Sequence, residues 1–494
     1  MIKFISPRAA FGVTPQGATP AVWQSQPGGV PGRVTSLGVL LLAGLLSACS
    51  QLPVYQRPAV DVPAAFPAAT APAATPARDL AWQDFVREPE LRALIETAIA
   101  NNRDLRVAVL QIEQARAQFQ IRQADQLPTV NAAATGNRQP AANGDGISST
   151  YTAGLALASW EIDLFGRVAS LKEAALAQFL ASEETRKAVQ VSLVASVSSA
   201  WLGLQNTDDQ IALTRQTLAS RVDGLSLTKL RFDNGTATAL DLRQAESLVA
   251  SAQATLAQLQ RQRAQEANAL ALLVGQGGAL PPAATTRAPV FDAALPLAEV
   301  PVGLPSDVLL QRPDVRAAEQ QLVVANAQIG AARAAFFPRI SLTASVGTAS
   351  NQLSNLFSSG SWGWTLAPQA LLPIFDAGRN QAGLESAQAA QQIAVAQYEK
   401  AIQTAFKDVA DALVAREPLA EQWRAQQALL TSEAERARLT DLRVNGGVAS
   451  QLELLDAQRS LFSAQQALLQ TRLALAQNQV ALYKALGGGW KTPG

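Results

Sequence analysis

Apolar and polar positions follow two different periods along this chain, and the order in which they alternate repeats once. Val130, Ala132 and Ala134 fall between Thr129, Asn131, Ala133 and Thr135, and Ile340, Leu342, Ala344 and Val346 fall likewise between Ser341, Thr343, Ser345 and Gly347. A period of two predicts strands with one apolar face. Return strands are predicted at Tyr151-x-Ala153-x-Leu155-x-Leu157 and Trp362-x-Trp364-x-Leu366. One apolar face, one small or polar face and interfacial Trp and Tyr are what a membrane barrel strand requires. A pair of soluble hairpins is the alternative reading of the alternation by itself.

Elsewhere the period is helical. Helices rich in Ala, Gln and Arg are predicted over 104–127 and 314–337, each stopped at Pro128 or Pro338. Longer ones follow each hairpin. Gly166 to Arg231 contains no proline, and Gly378 to Arg443 contains only Pro418, where the lost backbone donor predicts a kink. Some 60 helical residues make a rod of roughly 90 to 100 Å. The rods turn at Asp233-Asn234-Gly235 and Asn445-Gly446-Gly447, residues that accept positive φ, and return to Gly275 and Gly487. Rods of that length are too long for a globular core and must pack side by side.

The two halves are copies. Asp104-Leu105-Arg106 recurs as Asp314-Val315-Arg316, and Pro128 as Pro338, at an offset of 314 − 104 = 210. Gly166-Arg167 meets Gly378-Arg379, and Gly235 meets Gly447, at 378 − 166 = 212. The two extra residues fall between Pro338 and Gly378, where a loop absorbs them at little cost. The domain plan is a signal peptide over 1–48, an extended linker over 49–85, a first repeat over 86–285, a linker over 286–313, a second repeat over 314–487 and a tail over 488–494.

Composition narrows the chemistry. The chain has 494 residues, a formal net charge of +1, no histidine and one cysteine. Near-neutral charge argues against a nucleic-acid partner. Without histidine there is no Ser-His-Asp or Cys-His nucleophile and no His-ligated zinc. The acidic residues lie scattered along helices, so no catalytic residue, metal ligand or cofactor is expected, and the chain reads as no enzyme.

The single cysteine ends the apolar run Leu37–Cys49, which closes on Leu46-Ser47-Ala48-Cys49. That run is too short to span a bilayer and matches a lipoprotein signal. The expected product carries S-diacylglycerol and N-palmitoyl groups on Cys49, and Ser50 after it fits sorting to the outer membrane. The segment before the run is long for a signal, so a start near Arg33 is an alternative.

Four strands per chain cannot close a membrane barrel, since the smallest need about eight. An open edge in lipid strands backbone donors at several kcal/mol each. The fold expected is therefore mixed α and β: a long α-helical barrel joined to a membrane β-barrel that several protomers share.

Particular motifs add a resemblance. Tyr55-Gln56-Arg57-Pro58, Gln114-Ala115-Arg116-Ala117, Leu304-Pro305-Ser306 through Arg312-Pro313-Asp314-Val315-Arg316, Ala335-Phe336-Phe337-Pro338 and Leu454-Leu455-Asp456-Ala457-Gln458-Arg459 resemble the outer-membrane efflux family of TolC-like proteins, in its NodT/OprM-type lipoprotein branch. The likeness covers nearly everything after Cys49. It implies a homotrimer with a twelve-stranded barrel and a twelve-helix periplasmic tunnel. A periplasmic adaptor and an inner-membrane RND transporter would be its partners, and it would conduct drugs or other small solutes. Leu452 and Asp456 would form the apolar and acidic rings of a closed tip, and like charges there would raise the Asp456 pKa. Arg443 would latch neighbouring helices, with Val444 where relatives often have tyrosine. Glu453 reads both as a gate residue and as the acidic end of the capping box Ser450-Gln451-Leu452-Glu453. A type I protein secretion conduit is the alternative function, and a periplasmic coiled-coil adaptor a more distant one.

Overall fold

A computed structural model describes residues 51–59, 62–63, 66, 80–140, 146–275, 291, 295–300 and 306–490. Cys49 and the signal lie outside the described residues.

Helices α1 (Pro89–Asn101) and α2 (Arg103–Ala124) lead to strands β1 (Val130–Pro140) and β2 (Ile147–Ile162). Then come α3 (Arg167–Asp233) and α4 (Ala239–Val274). The second copy gives α5 (Pro313–Ala334), β3 (Arg339–Ser350), β4 (Trp362–Leu371), α6 (Arg379–Asn445) and α7 (Gln451–Ala485). Both long helices, α3 and α6, have 67 residues, so each is about 100 Å long. Each starts after a glycine at positive φ, Gly166 or Gly378, in the left-handed region that glycine enters without cost. Pro418 sits inside α6, which continues through it as one element. The carbonyl left without a donor belongs to Val414, an exposed residue that water can serve.

The strands form one antiparallel sheet in the order β1-β2-β3-β4. Residues opposite one another share a face, so the register can be read straight across. Ala132 faces Leu155, Leu155 faces Val346, and Val346 faces Trp364. The alternate rows are Asn131, Ala156, Ser345 and Thr365, then Ala133, Gly154, Gly347 and Gly363. One face is thus apolar and the other small and polar. The strands are longer than the alternation alone marked, and a bulge between Leu157 and Trp160 shifts the β2–β3 register. On the polar face Thr135 and Thr152 hydroxyls bond at 2.6 Å, and Ser345 and Thr365 at 2.7 Å. Gly154 and Gly347 lie back to back, and a Cβ on either would overlap the other strand's backbone. No described residue covers the apolar face, where Trp362 and Trp364 are each 67% exposed.

The core lies where the chain's ends meet the helices. Phe85 stacks on Tyr483 with centroids 4.0 Å apart, and the Tyr483 hydroxyl donates to the Leu80 carbonyl at 2.7 Å. Phe66 stacks on Phe406 of α6 at 5.0 Å. Arg312, just before α5, is buried; it donates to the Ala485 carbonyl at 2.7 Å and holds the Asp314 carboxylate at 2.7 and 3.0 Å. The Arg-Pro-Asp signature is therefore an architectural tie between the second repeat's first helix and its last.

Residues 51–57 form a strap along α5. Leu52 passes Gly330, the Pro53 carbonyl accepts from Asn326 at 2.9 Å, and Arg57 forks onto Glu319 at 2.7 and 2.9 Å. The strap runs antiparallel to the helix, its earliest residues toward the β3 end.

Candidate functional site: the tip of the helical hairpins

The two helical hairpins end in matching turns. In the first, Thr238 and Asp241 form a reciprocal capping box: the Thr238 hydroxyl accepts from the Asp241 amide at 3.2 Å, and the Asp241 carboxylate accepts from the Thr238 amide at 2.9 Å. In the second, Ser450 and Glu453 repeat it at 3.2 and 3.3 Å. Gly235 and Gly447 turn the chain at φ of 69° and 73°. Capping satisfies amides that the first helical turn leaves without partners.

Glu453 divides its two oxygens. Oε1 serves the cap, and Oε2 accepts from Arg443 Nη1 at 3.5 Å. Arg443 also donates to the Val448 carbonyl at 3.4 Å, so within the chain it closes its own α6–α7 turn, where the resemblance implied a latch onto a neighbouring helix. Val444 lies with Asn445, Gln451 and Leu454 in the wall between the two hairpins.

Leu452 is 56% exposed, while Leu454 and Ala457 turn inward and are buried. Asp456, one turn after Leu452, is held from two sides. Arg459 on the same helix bonds Oδ1, and Arg436 of α6 bonds Oδ2 at 2.9 Å; Arg436 also meets Glu433 at 3.1 Å. The hydrogen bonds from Arg459 and then Arg436 hold the Asp456 carboxyl below the usual carboxylate range. That reverses, within one protomer, the rise expected from like charges alone: the sequence reading counted the carboxylate and missed its two cations. Arg459 was legible at the i, i+3 spacing. Arg436, twenty residues away across a turn, needed the hairpin register.

The first copy has no such cluster. Leu240 matches Leu452 and is 66% exposed, but Gln244 stands where the second copy has Asp456. The first copy's tip carries instead the exposed Arg243–Glu246 pair, and the carboxylate held by two arginines belongs to the second copy. No group of His, Cys, Asp and Glu that would hold a metal occurs among the described residues.

A sheet with an uncovered apolar face, a small and polar opposite face and two open edges, continued by rods of about 100 Å, defines a membrane-barrel conduit. Its sequence matches the Outer membrane efflux protein family over residues 94–276 and 304–488, and the chain belongs to that family. It is 47% identical over 467 residues to outer membrane protein OprJ of Pseudomonas aeruginosa, across 93% of this chain and 97% of that one. It is 44% identical over 460 residues to the solvent efflux pump outer membrane protein SrpC of Pseudomonas putida, across 91% and 97%. Among solved structures, a membrane protein from Pseudomonas aeruginosa superposes with a TM-score of 0.81 at 44% identity, covering 90% of this chain and 98% of that one. The open state of the MtrE outer membrane channel of Neisseria gonorrhoeae gives 0.79 at 40%, covering 90% and 99%. The chain is the outer-membrane channel component of a bacterial efflux pump, a conduit and not an enzyme.

Proposed function

We propose that three copies of this chain form one pore, lipid-anchored at Cys49, through which an inner-membrane RND transporter and its periplasmic adaptor expel drugs and organic solvents. The repeats then correspond to the predicted segments 86–285 and 314–487. The observation that carries this reading is the sheet itself. It is a four-stranded meander whose outer strands run antiparallel and are both open, so β4 of one copy offers β1 of the next an antiparallel partner. Relatives named for solvent and antibiotic efflux support the cargo class. The strap supports the anchor: Leu52, three residues after Cys49, already lies at the barrel end of α5.

The gate is the α6–α7 tip. Leu452 supplies an apolar plug, Asp456 with Arg436 and Arg459 a charged ring above it, and Arg443 with Glu453 the fixed turn that presents both. The protein in a planar bilayer should show low conductance, and Leu452→Ala/Asp456→Ala should raise it severalfold without loss of assembly. Conductance unchanged in the double variant would move the constriction elsewhere, and chains that assemble only singly would end the shared-barrel reading.

A further inference from the structure

Two arginines are buried among the described residues, and they are served differently. Arg312 has the Asp314 carboxylate against it. Arg221 of α3 is 8% exposed and has no carboxylate partner. Its Nη1 donates to the Leu248 carbonyl of α4 at 3.0 Å, and its guanidinium lies 5.3 Å from the centre of the Phe462 ring of α7. Its Nε is buried with no acceptor. Burial pushes the Arg221 pKa down, with no neighbouring charge to restore it. A cation over an aromatic face recovers part of its lost hydration, and an unpaired buried charge is otherwise costly.

Arg221 lines a cavity of about 140 Å³ just above the tip. Its walls come from both hairpins: Ser220 and Arg231 from the first, Asn445, Gln451 and Gln458 from the second. Asp441 is the carboxylate among them, and the Asn445 amide donates to it at 3.2 Å. Two arginines and one acid therefore line the cavity, beside amide side chains and the unsatisfied Arg221 N–H. The volume far exceeds what one water needs and is enough for a tetrahedral oxyanion.

We propose that this cavity is an anion site, taking a small oxyanion such as phosphate or a free carboxylate, which ties the α3–α4 hairpin to the α6–α7 hairpin. The guanidinium of Arg221 supplies charge and a directed N–H, which is how arginine recognises planar and tetrahedral oxyanions. Arg231 closes the site from the solvent side, and the glutamine amides complete it. Because the walls belong to both hairpins, a bound anion resists their separation.

The test is equilibrium dialysis of the full-length detergent-solubilised protein against radiolabelled sulfate at constant ionic strength. Wild type should take up sulfate saturably and in proportion to chain, with phosphate and acetate competing and gluconate, too large for the cavity, competing poorly. Arg221→Met should lose this uptake. Arg231→Gln, on a half-buried wall residue, should weaken it at least tenfold with the fold intact. Gln458→Leu serves as a second check that does not touch Arg221. Uptake that never saturates, or that survives in both Arg221→Met and Arg231→Gln, leaves the cavity to water and overturns the proposal. Neither outcome depends on Leu452 and Asp456 forming the gate.

Discussion

At the scale of single residues, the chain separates charges that hold its shape from charges placed at the tip of its helical hairpins. Arg312 is of the first kind, and truncating it strands the buried Ala485 carbonyl and frees Asp314. Arg312→Ala should cost about 2 to 4 kcal/mol, seen as a lower denaturation midpoint with unchanged conductance in whatever assembles. Asp456 is of the second kind. Arg436 and Arg459 together balance Asp456 and Glu433, which leaves the cluster close to neutral, so divalent cations should block the wild-type channel weakly. Arg436→Gln/Arg459→Gln leaves the carboxylate bare, and block measured in single-channel recordings should strengthen severalfold; equal block in both proteins would mean these arginines do not mask it. The pH dependence has a definite sign. Asp456 is held below its ordinary pKa, so its bridges are intact at neutral pH and lost only as pH falls through that depressed value. Acid-induced loosening of the tip should therefore begin below about pH 4, and Asp456→Asn should remove that step from the conductance–pH profile.

At the scale of elements, the sheet ties sequence most directly to environment. Leu366 lies in the apolar face opposite Ala344, and its neighbour Thr365 lies in the polar face, bonded to Ser345. An arginine at 366 should cost about 2 to 4 kcal/mol near mid-bilayer, while one at 365 should be better tolerated; the yield of heat-resistant oligomer measures the difference. Gly154→Val should be worse than either, because the facing backbone leaves no room for a Cβ. Most of this was legible beforehand. Strand alternation at Val130–Thr135 and Ile340–Gly347, the stops at Pro128 and Pro338 and the turns at Gly235 and Gly447 each have a local cause, and local causes show in sequence. The bulge at Leu157/Trp160 was not legible, since a run such as Leu157-Ala158-Ser159-Trp160 does not say which residue is left unpaired. The burial of Arg221 and the reach of Arg436 to Asp456 were also hidden, because they depend on how antiparallel rods slide against one another. At Pro418 the helix runs on as one element, since neighbouring turns and an exposed carbonyl carry it through.

At the scale of the whole molecule, what one chain lacks is as informative as what it contains. Buried positions in α3 run from Val168 to Thr228, whereas in α6, equally long, they are confined to 394–413 and Ala437. Ile374 and Phe375, between β4 and α6, are 94% and 90% exposed. The anchor makes a separate prediction: Cys49→Ser should lose all label from a palmitate analogue, and persisting label would end the lipoprotein assignment. The strap's Arg57–Glu319 fork keeps residues 51–57 on α5, so Glu319→Gln should leave lipidation intact and make that segment more open to protease.

The half-covered rod and the two open strand edges also set a clock. In the proposed shared barrel, a chain exported one at a time waits in water with its apolar sheet face bare until it meets others. Assembly of that kind rises faster than linearly with the number of chains, while loss to proteases and aggregation claims each chain singly. Halving synthesis should therefore cut finished channels by more than half, which a pulse-chase at graded expression would read directly. A modest change in expression would then act as a switch on how much a cell can expel.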